Sequence, residues 1–316
     1  MDAAYLIRRL AAILVVLLIV SLTVFAITQI LPGNAAVMIL GEYATDEQRR
    51  LLELSLGLDH PWYVQYLRWL GRTLSGDWGV SMRLSQPVTH LIGEAFWRSA
   101  ALAAASLLTV TVIAIPLGVL SALRRGGFTD LVISFFAYIG TALPEFVTAT
   151  LLLVIFASPE RGFLPAGGFT PINESVTGFL SHLVLPTATL SLILTAHIAR
   201  QVRSEMSDVL ASDYVRAARL KGLSETAVVL RHALRNAMAP AVAVISLDVG
   251  YLLGGILVVE EVFAWPGLGR LMIYALQNRD LPVIQAATLV LAATYAISNL
   301  VADIVIAALD PRVRYA

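Results

Sequence analysis

The 316-residue chain has no cysteine and a single lysine, Lys221. Without thiols there is no disulfide framework, no cysteine zinc ligand and no thiol nucleophile. Histidine is scarce as well, at 60, 90, 182, 197 and 232, and no two stand at a metal-ligand spacing such as H-x-x-x-H. A metal site built by this chain alone is therefore not expected. Charge is the next shortage: Asp, Glu, Lys and Arg make up 14% of the chain, against about 25% in a soluble domain. The formal net charge is zero, which removes the electrostatic case for a nucleic-acid partner. H-E-x-x-H and G-x-S-x-G are absent, and the lone lysine sits in "AARLKG" rather than in the G-x-x-x-x-G-K-[ST] loop that cradles nucleotide phosphates. The chain thus reads as a non-enzyme with no catalytic residue, no metal and no cofactor of its own, so any energy it uses comes from a partner or an ion gradient.

What fills the space is apolar: 58% hydrophobic residues and a mean hydropathy of +0.78. Six stretches, near 10–30, 99–123, 131–156, 182–200, 241–263 and 283–308, approach the roughly 20 residues needed to span a bilayer core. The fold class expected is all-α, a polytopic membrane protein with six transmembrane helices. The first stretch follows Arg8 and Arg9, is long for a signal peptide and lacks a small-residue cleavage site, so it reads as a retained helix. With six spans both termini share one side. The N-terminus, the 124–130 loop, the 200–240 segment and the C-terminal tail hold 13 Lys and Arg, whereas the short loops opposite hold three, Arg161, Arg270 and Arg279. That bias puts the termini and the basic tract on the cytoplasmic side of the membrane.

Three segments follow: 1–30, a tail and first span; 31–98, an extracytoplasmic insertion; and 99–316, a core of five spans. In the insertion, "TDEQRRLLELSLGLD" predicts a helix starting at Thr45 and stopping near Gly57. Trp62, Tyr66 and Trp69 follow at helical spacing and read as aromatics at the bilayer interface. Pro116, Pro144 and Pro186 mark possible kinks, and Gly250 with Gly254 forms G-x-x-x-G, a pattern that lets helix backbones approach. Glu145 and Asp248 lie in apolar spans, where a charge costs at least about 2.5–3.5 kcal/mol, so they pair internally or line a polar path. Asp303, four residues after Asn299, reads as structural.

One tract breaks the pattern, "DYVRAARLKGLSETAVVLRHALRNAMAP" at 213–240, inside a cytoplasmic segment 204–239. Ser212 or Asp213 can cap a helix start, and Gly222 suits the left-handed position past a helix end. The eight residues Tyr214 to Lys221 between them make about 12 Å of helix. Arg219 and Lys221 fall in its last turn, where the helix dipole favours cations, and Ala217 and Ala218 leave a thin side for another protein to pack on. Leu223, Ala227, Leu230, Leu234 and Met238 predict an amphipathic stripe leading to Pro240. Such a tract is a docking element or a solvated loop touching anionic lipid headgroups.

Arg216-Ala217-Ala218, three residues, then Gly222 resembles the EAA loop of permease subunits in binding-protein-dependent ABC importers. "SDYVRAARLKGLS" with "RHALRNAMAP" is most similar to the dipeptide/oligopeptide/nickel branch, as are "LGLDHPWYVQYLRWL", "SGDWGVS", "EEVFAWPGLGRLMIYALQNRDLPVIQ" and "SNLVADIVIAALDPRVR". The large insertion after the first span resembles the B-type permease. Two positions depart from the general motif: Arg216 replaces its glutamate, and I-x-L-P reads His232-Ala233-Leu234-Arg235. The resemblance implies a half-channel in a type I importer permease fold. It would pair with a homologous C-type subunit, two ATP-binding subunits using ATP and Mg, and an extracytoplasmic substrate-binding protein. Asp213, Tyr214, Arg216, Ala217, Ala218, Arg219, Lys221 and Gly222 would form the coupling helix. Di- or oligopeptides are the expected cargo, with nickel or a metal chelate, an opine or glutathione as alternatives. A stand-alone secondary transporter would leave the capped basic helix without a role, and an intramembrane hydrolase would lack a nucleophile and base.

Overall fold

The computed structural model of the protein describes residues 3–30, 45, 47–48, 60–158 and 162–309. Among them the order is α1 (Ala3–Ile30), α2 (Trp62–Leu74), α3 (Val88–Leu123), α4 (Phe128–Ala142), α5 (Glu145–Phe156), α6 (Val176–Leu210), α7 (Asp213–Leu220), a π-helical turn (Val228–Ala233), α8 (Leu234–Val262), α9 (Leu268–Asn278) and α10 (Leu281–Leu309). One isolated bridge, Val80 to Pro87, is the sole extended pairing among the described residues. The chain is all-α, as its patterning predicts.

Four described helices, α1, α3, α6 and α10, are long and apolar enough to cross a membrane. The stretch 131–156, expected as one span, is instead two helices, α4 and α5, bent by 108°. Proline explains the break: with no N–H on Pro144 the carbonyl of Gly140 loses its helical partner, and Leu143 turns extended. Together α4 and α5 can count as one further span. The expected span 241–263 falls within the 29-residue α8, which carries Asp248 and ends at Glu260-Glu261-Val262. Pro116 and Pro186, by contrast, sit inside unbroken helices.

The chain divides into two compact units, described separately. The first comprises 1–3, 98–269 and 297–316, and the second 4–97 with 270–296. In the first, Leu102, Val110, Leu194, Ile198, Val202, Met206, Leu252 and Ile256 form a buried core. Missing side chains let the helices close up: a β-carbon on Gly118 would lie 2.7 Å from the Ala199 carbonyl, and one on Gly140 3.1 Å from Ala196 Cβ. Small residues serve this role where lipid tails offer no hydrophobic contrast with leucine. Leu108, Val112, Phe135, Phe136 and Val154 remain exposed, an apolar exterior fit for hydrocarbon. Beneath it, Glu260 is fully buried: it accepts from the Ser99 hydroxyl and from Gly269 N–H at 2.8 Å, while Ser99 Oγ accepts from Leu268 N–H at 2.7 Å.

In the second unit, Thr45 and Gln48 exchange backbone and side-chain hydrogen bonds at 3.1 and 3.3 Å, a capping box where the helix start is expected. The rest of that expected helix, 49–57, lies outside the described residues. Tyr66 and Trp69 have partners within this unit. They pack on Phe25 of α1 at 5.5 Å each, and Tyr66 hydrogen-bonds Ser21 at 2.8 Å; Trp62 stays exposed. A second buried carboxylate, Asp280, accepts from the Ser81 hydroxyl and the Met82 N–H, tying the loop before α3 to the turn before α10.

Candidate functional site

The short basic helix is built by local chemistry at both ends. It runs Asp213–Leu220, one residue earlier at each end than expected. Ser212 does not cap it, because its hydroxyl donates back to the Val209 carbonyl at 2.5 Å. The acid Asp213 in the first turn complements the helix dipole. At the other end Gly222 has φ +79°, its N–H bonds the Arg219 carbonyl at 2.9 Å, and Leu223 N–H reaches Ala218 at 3.4 Å. This pair of bonds is a Schellman stop.

Three contacts hold the helix to its own chain. Val215 and Ala218 are buried with Val228 and pack against Val209 and Leu210. Arg219 makes a forked pair with Glu225 at 2.8 and 3.3 Å. Asn236 Nδ2 on α8 donates to the Tyr214 hydroxyl at 2.8 Å. The thin side is therefore split: Ala218 faces inward, and Ala217 alone of the two alanines is exposed. Asp213, Arg216 and Lys221 are exposed beside it, and Leu220 is 83% exposed at the tip.

The expected stripe after Gly222 packs only in its later part, where Leu234 and Met238 lie against the core. Leu223 and Leu230 are exposed, whereas Val228, Val229, Ala233 and Ala237 are buried. Within the π-helical turn over Val228–Ala233, Val228, Val229 and Ala233 turn inward in place of Leu230.

Inside the spans, Asp248 is nearly buried and its carboxylate lies 3.0 Å from Nδ1 of His197 on α6. Glu145 opens α5 directly after the break and is half-buried. Its carboxylate occupies the space over Gly255 of α8, where a β-carbon would come within 2.5 Å of Glu145 Oε1. Asp248 is thus carried by α8, and the Glu145 carboxylate lies over Gly255 of the same helix, seven residues on, about two turns. Glu145 also lines a cavity of about 380 Å³ with Thr141, Leu143, Pro144, Ile193 and Val258. Within this chain a β-carbon on Gly254 would touch nothing within 4 Å, whereas one on Gly255 would meet the Glu145 carboxylate.

Sequence reasoning missed His197, and also the pair that ties α6 to α4. Arg203 donates to both oxygens of buried Asp130 at 2.6 and 2.7 Å, and Asp130 further accepts from Ser121 at 2.5 Å and Gly126 N–H at 2.9 Å. Among the described residues no cluster of His, Asp and Glu is arranged to hold a metal.

Comparison with known proteins gives concordant likenesses. The family model described as "Binding-protein-dependent transport system inner membrane component" matches residues 114–315, and that for the N-terminal part of such membrane components matches 3–103. The chain is 37% identical to the probable peptide ABC transporter permease protein y4tP of Sinorhizobium fredii, over 98% of this chain and 99% of that protein. It is 39% identical to the glutathione transport system permease protein GsiC of Escherichia coli K12, with the same coverage. Among solved structures it resembles the MetNI methionine ABC transporter in inward-facing form, with TM-score 0.59 and 18% identity, over 72% of this chain and all of that one. A further likeness, to an amino acid ABC transporter, has TM-score 0.50 and 17% identity, covering 71% and 94%. At those identities the structural likeness concerns fold.

Proposed function

The chain belongs to the binding-protein-dependent transport system inner membrane component family, the permease subunits of ABC importers, and from that membership we propose that it forms half of a translocation path for short peptides. A homologous C-type permease completes the path, two ATP-binding subunits sit beneath it, and an extracytoplasmic binding protein delivers cargo from above. Both termini and α7 face the cytoplasm. ATP and Mg are used by the partner subunits. Closure of the ATPase pair moves α7 and switches the bundle between outward and inward openings. Glu145 and Asp248, with His197, belong to the path wall.

The observation that carries this reading is α7 itself. Two turns of helix are marginal alone, yet this one is stopped by Gly222, clamped by Arg219–Glu225 and seated on Val215 and Ala218. It presents Ala217, Arg216 and Leu220 outward, all exposed, as a peg for a protein cleft would. In this reading Ala217→Glu leaves the chain folded and inserted but abolishes peptide uptake and co-purification of the ATPase subunits. Normal uptake with ATPases retained would refute the coupling role.

A second reading for cargo rests on the 39%-identical relatives named for glutathione transport. Glutathione is a tripeptide with a γ-linkage, so the two readings share most chemistry. Mass spectrometry of the ligand retained by the partner binding protein separates them: an α-linked peptide favours the first, glutathione the second.

A further inference from the structure

At the break between α4 and α5 the chain gathers hydrogen-bond acceptors. Pro144 has no N–H to give the Gly140 carbonyl, and among the described residues no backbone N–H reaches the carbonyls of Thr141, Ala142 or Leu143. Thr141 Oγ1 commits its proton to the Ala137 and Tyr138 carbonyls at 3.1 Å each, leaving lone pairs outward. Glu145 adds a carboxylate with no hydrogen-bond or ion-pair partner among the described residues. Asp248 differs, since His197 holds it. The cavity of about 380 Å³ is lined by residues 141–146 of the break together with Ile193 and Val258, with no basic side chain. Carbonyls, a hydroxyl's lone pairs and a carboxylate can all accept, and a compact cation with several donors satisfies them together. Broken helices expose backbone in this way only where it lines a cavity or is covered by protein.

We infer that this cavity binds a primary ammonium group, the amino terminus of a transported peptide, through the Glu145 carboxylate and the carbonyls of Thr141, Ala142 and Leu143. The inference rests on the peptide-permease reading and deepens it by naming the end of the cargo that the membrane path recognises. The helix start at Glu145 alone would favour anions; the carboxylate in its first turn reverses that preference. Gly255 is the supporting residue, because any side chain there would occupy the carboxylate's place.

The test uses the complete importer in lipid nanodiscs without its binding protein, with alanyl-alanine and N-acetyl-alanyl-alanine as probes observed by saturation-transfer NMR. The wild-type complex is expected to bind the free-amine dipeptide about tenfold more tightly than the acetylated one. Glu145→Gln removes that preference, Glu145→Asp keeps part of it, and Gly255→Ala, which retains the carboxylate but crowds it, weakens it. Equal binding of the two probes by wild type, binding of neither, or an undiminished preference in both Glu145→Gln and Gly255→Ala overturns the inference. Failure of the functional reading looks different: the importer would then carry no peptide in an uptake assay even with the ammonium preference intact.

Discussion

Each buried carboxylate here is satisfied in its own way, and the differences sort structure from function. Glu260 is enclosed by Ser99 and the Gly269 N–H, Asp280 by Ser81 and Met82, and Asp130 by a forked guanidinium, a hydroxyl and a backbone N–H. Truncating one member of such a pair strands the other. Arg203→Met should therefore destabilise the protein by about 3 kcal/mol, while Asp130→Asn/Arg203→Met should cost less than the single arginine change. Thermal unfolding midpoints of both single variants and the double variant, purified in detergent, check that order, and a double loss equal to the sum of the single losses would show that the pair contributes no coupling. His197 holds Asp248 in the same sense, whereas Glu145 has no such partner among the described residues.

At the scale of elements, α7 shows what a sequence can and cannot disclose. Its stop was legible because glycine is the residue that takes φ +79° without a steric penalty. Gly222→Ala should cost about 1–2 kcal/mol at the helix end without unfolding the bundle, read as faster amide exchange at Gly222 and Leu223 positions than in wild type. Unchanged exchange would mean that the turn is held from elsewhere. The Thr45–Gln48 box was legible for the same reason: both partners lie within one turn of chain. What escaped the sequence is of two kinds. Pairs such as His197–Asp248, Asp130–Arg203 and Ser99–Glu260 lie 51, 73 and 161 residues apart, so no window of chain contains both members. The other kind is register: the π-helical turn and the α4–α5 break each re-aim a face that an uninterrupted 3.6-residue period assigns elsewhere. Tyr66 and Trp69 belong with these, since helical spacing told that they share a side but not that Phe25 covers it.

For the molecule as a whole, orientation is the property the arginine bias addresses, and the absence of cysteine makes it easy to examine. Phe163→Cys should react with a membrane-impermeant maleimide in intact spheroplasts, and Arg125→Cys should react only after permeabilisation. The reverse pattern would invert the topology and place α7 on the wrong side for an ATPase. Both positions are solvent-exposed, so a negative result is not a matter of burial. Importers of this family must change shape while their spans stay in hydrocarbon, where a severed ladder bond is expensive. The 108° junction between α4 and α5 meets that demand in advance. Like a crease already pressed into stiff card, it has no helical hydrogen bond crossing Pro144 left to tear, so α5 can swing against α4 without breaking one.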